Sequence, residues 1–199
     1  MYIDNQNSKM NFHLFFADHR GKHIRKAVSS DIFGPYKLKS VLELDINNLS
    51  SFTTAHNHIA SPFVFKYKNN LWMIVHAPCT KYNCQRSFFF KMKNSKWEVV
   101  KSDYFLPFYS KALILEDNLY FVSKGGDVFK SLDPVGPYDF LGNIFNINVQ
   151  DKWHNYDNAA RHFGLFLDKK NDILLVCFSR IGIVQESIEY ILIKSVNFK

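Results

Sequence analysis

The sequence predicts an all-β protein built from repeated antiparallel units, and three observations support this fold class. Aromatic residues make up 17% of the 199 residues, and phenylalanine alone contributes 20 of them. Aromatic and β-branched side chains favour strands over helices. Short apolar runs separated by polar turns recur along the chain, and one eight-residue pattern occurs twice. Such recurrence is typical of a repeat fold made of sheets.

The repeated pattern, S-x-D-x-x-G-P-Y, covers residues 29–36 and 131–138, and we call each copy a Gly-Pro box. The two copies lie 102 positions apart, which corresponds to two periods of roughly 51 residues. Since Asp, Gly and Pro all favour turns, each box is expected to turn the chain after a strand. Asp31 and Asp133 are expected to be structural, with carboxylates that accept backbone N–H hydrogen bonds before Gly-Pro.

Hairpins are predicted wherever an apolar run, a polar turn and a second apolar run follow one another. Three such segments span residues 63–75, 112–122 and 164–178. Each unit is expected to add a third strand and, beyond it, an outer one such as 97–100. The third strands are predicted at residues 24–28, 87–92, 127–130 and 188–193.

Three or four antiparallel strands in about fifty residues match the size of a propeller blade. A chain of 199 residues is long enough to bury the core of one domain. The sequence therefore predicts a single β-propeller domain over residues 1–199, with about four repeat units visible. A β-sandwich with accidental internal similarity is the alternative.

Charge and cysteine content restrict the partners and the compartment. The formal charge is +7, but the lysines are scattered and form no basic run, which disfavours nucleic acid as a partner. Residues 1–12 are polar and carry no apolar signal-peptide core, and no segment approaches the length of a membrane span. A cytoplasmic protein without membrane contact is therefore predicted. The odd cysteine count disfavours a disulfide framework, and the C-x4-C spacing of Cys79 and Cys84 disfavours a metal site. The sequence predicts no cofactor and leaves the oligomeric state open.

Residues 15–21 and 24–27, followed by the first Gly-Pro box, resemble the first blade of five-bladed propellers of the glycosidase type. Glycoside hydrolase families 43, 32 and 130 belong to that grouping. The resemblance implies a five-bladed β-propeller that acts on or binds carbohydrate. Only residues 1–4 precede the second strand, so the first blade is expected to be incomplete. The chain is then N-terminally truncated or mis-started, unless the ring closes through the C-terminal strand.

A narrower resemblance, to a bacterial group of such propellers, is carried by residues 58–62, by Arg161-His162 and by residues 178–182 with Glu186. Members often carry Ser-Pro-Asp on the second inner strand, where this chain has Ser61-Pro62-Phe63. The Asp of that motif tunes or positions the catalytic acid in related hydrolases, and a phenyl ring cannot do so.

Polar residues at the ends of inner strands are expected to converge in the central funnel of a propeller. In this chain they are rich in His and Arg, and Tyr109 and Lys111 lie at one such strand start. Arg binds carboxylate or phosphate through two parallel hydrogen bonds, so these residues predict an anionic ligand. The ligand-binding candidates are Arg20, His58, His76, Arg161, His162 and Arg180.

Glycoside hydrolysis requires two carboxyl groups that flank the scissile bond. Asp18 and Glu186 are the catalytic candidates, with Asp157 as a further possible acid. Phosphorolysis requires only one acid, because phosphate is itself the nucleophile. Purely structural roles are the alternative for these residues. Arg161 and His162 could anchor a loop, and Arg180 could form a surface ion pair with Glu186.

The sequence therefore predicts a carbohydrate-active propeller, a glycoside hydrolase or a phosphorylase-like protein. Its His- and Arg-lined funnel is expected to bind a glycan or an anionic sugar. The alternative is a degenerate, non-catalytic propeller that serves as a glycan-binding or protein-interaction module, which the replacement of Asp by Phe63 favours.

Overall fold

The computed structural model of the chain describes residues 1–6, 9–18, 21, 23–42, 58–79, 83–145, 160–180 and 188–194. Strands in these residues form four antiparallel sheets, and each sheet contains only strands that are consecutive in sequence. This arrangement confirms the predicted repeat and excludes a sandwich of two sheets. No helix in the described ranges is long and apolar enough to cross a membrane.

The chain divides into two compact units, Met1–Phe108 and Tyr109–Lys199. The first unit holds the first sheet, β1 Tyr2–Gln6, β2 Lys9–Ala17, β3 Ile24–Ser29 and β4 Lys37–Leu42. It also holds the second sheet, β5 Ala60–Tyr67, β6 Asn70–Cys79, β7 Cys84–Lys93 and β8 Lys96–Val100.

The second unit holds the other two sheets. The third comprises β9 Lys111–Leu115, β10 Asn118–Val122, β11 Asp127–Ser131 and β12 Asp139–Asn143. The fourth comprises β13 Ala160–Asp168, β14 Ile173–Arg180 and β15 Ile188–Lys194. Every hairpin and third strand predicted from the sequence is confirmed in these two units.

The first sheet is more complete than the sequence predicts. β1 pairs with β2 from Tyr2 opposite His13 to Gln6 opposite Lys9. At five residues β1 is as long as β9, so the prediction that the first unit lacks most of its inner strand is wrong. The reason is that Asp4, Asn5 and Gln6 give β1 a polar sequence, which hides the strand from an apolar-run pattern.

The two Gly-Pro boxes share a side-chain hydrogen bond and a glycine conformation. In each, an Asp Oδ1 accepts a hydrogen bond from the backbone N–H two residues on: Asp31 from Phe33 at 2.8 Å, and Asp133 from Val135 at 3.0 Å. The central glycine of each box has φ of +90°, a conformation that L side chains rarely adopt. The structural role predicted for Asp31 and Asp133 is confirmed.

Each unit has its own apolar core, which follows from the alternation of side chains along the strands. In the first unit the core includes Met73, Val75 and Phe90. In the second unit it includes Val122 and Leu174, neither of which is exposed.

The first strands of the second, third and fourth sheets share one local distortion. A non-glycine residue with positive φ lies in or just before each of these strands: Ser61 at +50° in β5, Tyr109 at +61° two residues before β9, and His162 at +56° in β13. Two residues further on, the regular pairing with the second strand of the sheet begins or resumes. The paired residues there are Phe63 with Ile74, Lys111 with Val122, and Gly164 with Cys177. Such irregularities redirect side chains, and they often occur next to functional sites.

Candidate functional site

In the first unit, the loop after β2 meets the start of β5. The backbone N–H of Ile59 donates to the carbonyl of Gly21 at 3.0 Å, and the N–H of Gly21 donates to the carbonyl of Asp18 at 2.9 Å. These two bonds bring the turn that carries Asp18 next to His58, which directly precedes Ile59. One catalytic candidate and one ligand-binding candidate therefore lie at the same edge of the unit.

His58 and His76 lie together at this edge. Ala60 pairs with His76 across β5 and β6, and the two imidazole rings contact edge to face with centroids 6.0 Å apart. The ring of Phe108 contacts His76 at 5.8 Å. Only 4% of His76 is exposed, whereas His58 is half-buried. The structure thus brings the two predicted histidines together, with His58 as the more accessible one.

Asp18 forms an ion pair that the sequence does not predict. Arg25, at the start of β3, donates from Nε to Oδ1 at 3.0 Å and from Nη2 to Oδ2 at 2.8 Å. These hydrogen bonds, with a smaller contribution from the charge of Arg25, lower the pKa of the Asp18 carboxyl. Asp18 is therefore ionised at neutral pH, a state that suits a base or a nucleophile and not a general acid.

In the second unit, three basic candidates occupy adjacent positions of one sheet. Arg161 pairs with Ser179, and Ala160 pairs with Arg180, across β13 and β14. His162 follows directly and has the positive φ described above. The structure therefore places Arg161, His162 and Arg180 at one end of the fourth sheet.

Arg180 has a partner on the next strand. Its Nε donates to Oε1 of Glu189 on β15, and 28% of each side chain is exposed. The sequence left Glu186 open as the partner of Arg180, but Glu186 lies outside the described residues. The alternation of side chains along β15 could have placed Glu189 on one face of the strand. Its pairing with Arg180 depends on the register of β14 against β15, which the sequence does not give.

A polar cluster surrounds the start of β9. The Tyr109 ring contacts the His162 ring at 4.8 Å, and the hydroxyls of Ser110 and Ser123 share a hydrogen bond of 2.7 Å. Burial lowers the pKa of the Lys111 amine to about 8. Tyr109 and Lys111 lie at a strand start, as the sequence predicts, but the sequence carries no signal for the desolvation of the part-buried Lys111 amine.

Several candidates lie outside the described residues, namely Arg20, Asp157 and Glu186. Within the described part of the chain, no group of three His, Cys, Asp or Glu side chains is arranged to hold a metal ion. Phe63, in place of the Asp expected from the resemblance, occupies the point on β5 where regular pairing with β6 resumes.

Comparison with known proteins gives one curated relative and a group of solved structures. No family model matches the chain. An uncharacterised protein of Acanthamoeba polyphaga mimivirus is 25% identical over 182 residues, which cover 84% of this chain and 51% of that protein. The chain thus spans about half the length of this relative. The predicted likeness to a bacterial group gains no support from this viral protein.

Three similar solved structures are glycoside hydrolases of family 43 or related enzymes. A thermostable family-43 glycoside hydrolase has a TM-score of 0.64 and 15% identity over 97% of this chain and 67% of its own. A family-43 arabinoxylan arabinofuranohydrolase from Bacillus subtilis has a TM-score of 0.61 and 16% identity over 89% of this chain and 41% of its own. An endo-1,5-α-L-arabinanase from Thermotoga petrophila has a TM-score of 0.57 and 15% identity over 96% of this chain and 55% of its own.

At 15–16% identity these likenesses establish the fold and nothing further. The five blades implied by the resemblance are not confirmed, because the described residues form four sheets. The chain has an all-β, β-propeller fold of the type found in family-43 glycoside hydrolases, with four sheets in its described residues.

Proposed function

We propose that this chain is carbohydrate-active and binds an anionic sugar, or the anionic part of a glycan, through basic residues at its strand ends. The observation that carries the proposal is the adjacency of Arg161, His162 and Arg180 at one end of the fourth sheet. The fold likeness to glycoside hydrolases supports a sugar as the ligand. The five-bladed ring implied by the resemblance remains part of this proposal.

The basic residues of the second unit differ in what they can offer a ligand. The Glu189 carboxylate beside Arg180 neutralises much of its charge, so Arg180 is suited to hydrogen bonds with sugar hydroxyls. Arg161 is half-buried, and a guanidinium in that setting binds a carboxylate or phosphate more strongly than an exposed one. We therefore assign Arg161 to the anionic group and His162 to the orientation of the sugar.

In the first unit we assign His58 and His76 to sugar hydroxyls, and Arg20 to the ligand as well. Asp18 is the carboxylate we assign to catalysis, and its ionisation at neutral pH suits activation of water or direct attack. Glu186 is the acid we assign to protonation of the leaving group. Hydrolysis uses both carboxyl groups, whereas phosphorolysis would use Glu186 with phosphate as the nucleophile.

A non-catalytic, glycan-binding propeller is the second candidate, and two observations favour it. Phe63 stands where the resemblance leads one to expect an Asp, and Arg25 engages both oxygens of Asp18. Turnover of any glycan or sugar phosphate by the wild-type chain that is lost in both Asp18→Asn and Glu186→Gln would rule this candidate out. A chain that binds sugars and turns none over would support it.

The test of the binding assignment is calorimetric titration of the full chain and of Arg161→Ala with uronic acids and sugar phosphates. Loss of a hydrogen bond to a charged group costs about 1.5–3 kcal/mol, so we expect the dissociation constant to rise roughly ten- to a hundredfold. Lys169→Ala, in the exposed turn after β13, is the control and should bind as the wild type does. Equal affinity in Arg161→Ala and wild type, with unchanged melting, would refute the assignment.

A further inference from the structure

The fourth sheet has one buried and one exposed apolar face. Leu174 and Val176 lie on the buried face and belong to the core of the second unit. On the opposite face, Phe166, Tyr190 and Leu192 are each more than half exposed. The strand register places them in neighbouring rows on one side of the sheet. We call this side the Phe166 face, and its residues are Gly164, Phe166, Leu175, Cys177, Ile188, Tyr190 and Leu192, none of which is an Asp, Glu, Lys or Arg.

The same position in the other sheets is buried. Phe65, Leu113 and Phe166 each lie four residues after the positive-φ residue that marks the first strand of their sheet. Phe65 in the second sheet is 7% exposed and Leu113 in the third is 9% exposed, whereas Phe166 in the fourth is 60% exposed. A side chain that is buried at this point of two repeats is therefore uncovered in the third.

The second unit shows what kind of surface covers this position. Leu113 of the third sheet packs in one core with Val176 of the fourth sheet. The first unit repeats the contact, because Phe15 of the first sheet packs against the core that contains Met73 of the second sheet. Met73 and Val176 occupy equivalent places in their sheets, one strand position from the pairs that follow the distortion. In both units one sheet thus lays its face on the Met73 or Val176 side of the next sheet.

The first sheet exposes a face of this second kind. Phe15 points toward the second sheet, so its neighbour Phe16 points the opposite way. Phe16, Ile3 and Met10 lie on that side and are between 41% and 52% exposed. We call it the Phe16 face, and its residues are Ile3, Met10, Phe12, Phe16 and Val41. One chain therefore exposes one face of each of the two kinds that pack together in its own cores.

We infer that copies of this chain associate head to tail, with the Phe166 face of one copy on the Phe16 face of the next. Two different surfaces meet in such a contact, so it is heterologous and each copy keeps one face free for a further copy. This inference goes beyond the proposed function and does not depend on a sugar ligand.

The exposed area matches what a stable contact requires. The four most exposed side chains of the Phe166 face are 60–82% exposed, namely Phe166, Ile188, Tyr190 and Leu192. With roughly 200 Å² for each fully accessible side chain of this size, they leave roughly 500 Å² of apolar surface in water. A standard interface buries about 800 Å² per partner, of which about 65% is apolar between identical subunits, or roughly 500 Å².

The first test is sedimentation velocity of the wild-type chain over a concentration series from about 1 to about 200 µM, since interfaces of standard size have dissociation constants in the micromolar range or below. The sedimenting mass should rise with concentration above the 23.3 kDa of one chain. A wild type that sediments as a single chain throughout would overturn the inference and leave the two faces to some other covering.

The second test uses one charge on each face. Leu192→Lys disables the Phe166 face and Met10→Lys disables the Phe16 face, so each variant alone should remain a single chain. An equal mixture of the two should form a one-to-one pair and stop there, because each variant retains the face that the other has lost. Phe33→Lys is the control: its side chain is 95% exposed in the first Gly-Pro box and lies on neither face, so it should associate as the wild type does.

Tyr190→Lys and Ile3→Lys repeat the test at a second position of each face, and thermal melts identify the variants that fold cooperatively. Folded variants that still associate alone, or a mixture that stays as single chains, would refute head-to-tail contact. Association that is lost in the Phe166-face variants but kept in the Phe16-face variants would also refute it, because one face would then be pairing with itself.

Discussion

Three hydrogen bonds from Arg25 hold Asp18, and they lower the pKa of its carboxyl group. Both side chains are more than a third exposed, so the pair stabilises the fold only modestly. Its chemical effect is larger, because a carboxylate with a lowered pKa cannot serve as a proton donor at neutral pH. If the chain is an enzyme, the acid must come from another residue, and Glu186 is the candidate.

The Asp18–Arg25 pair predicts a pH-dependent difference in stability. The pKa of Asp18 is lower in the folded protein than its ordinary value of 3.8. The ion pair therefore stabilises the fold fully above pH 3.8, and this stabilisation is lost as the pH falls through the pKa of the folded state. Arg25→Met should melt at a lower temperature than the wild type at pH 7, and this difference in melting temperature should be smaller at about pH 2. Thermal melts of both proteins at the two pH values measure the difference.

The matched control is Lys93→Met, which removes a more exposed pair with Glu98 at 3.6 Å. Its melting temperature should differ less from that of the wild type at pH 7, because exposed ion pairs contribute little to stability. A difference for Arg25→Met that is the same at both pH values would mean that the ion pair is not its cause.

The ion-pair partners of single residues could not be predicted from the sequence. Asp18 and Arg180 were correctly singled out as charged residues at strand ends, but their partners were not found. Arg25 is seven residues from Asp18, and Glu189 is nine from Arg180. Both pairings depend on strand register, which is set by packing and turn geometry and not by residue type alone.

At the scale of the element, strands were more predictable than their distortions. The apolar runs identified β5, β6, β9, β10, β13 and β14, because a buried strand requires several consecutive apolar or alternating side chains. The positive-φ residues Ser61, Tyr109 and His162 have no common residue type, so nothing in the sequence marks them. These distortions lie at the strand starts that carry the candidate site.

The β6–β7 hairpin leads to a prediction about two of the three cysteines. Cys79 and Cys84 are directly opposite each other in the ladder. Opposite residues have Cβ atoms about 4.5–5.5 Å apart, close to the separation of about 3.5–4.5 Å in a disulfide. Oxidised glutathione should therefore link Cys79 to Cys84, with two electrons and two protons passing to the oxidant, and leave Cys177 as a thiol.

Thiol titration and peptide mapping measure this reaction. Cys177→Ser should still form the link, whereas Cys84→Ser should not. A stable mixed disulfide between Cys84 and glutathione, with Cys79 still reduced, would contradict the register-based prediction. The odd number of cysteines pointed away from a disulfide framework, and only the register brings this one pair together.

At the scale of the whole chain, the repeat was the most informative signal. Two Gly-Pro boxes and three hairpins predicted a series of similar sheets, and four sheets are found in the described residues. The apparent gap at the N-terminal unit came from the polar sequence of β1. The fold could therefore be predicted largely from periodicity, whereas ligand and reaction could not, because one fold carries many functions.

The central claim is that the chain binds an anionic sugar, and a thermal-shift screen of the wild-type chain tests it most directly. The ligands are neutral sugars, uronic acids, sugar phosphates and inorganic phosphate. A ligand at a hundred times its dissociation constant adds about 2.7 kcal/mol of stability, which raises the melting temperature by several degrees. We predict such a shift with at least one anionic sugar and a smaller one with its neutral counterpart. A cooperative melt that no sugar shifts would contradict the claim.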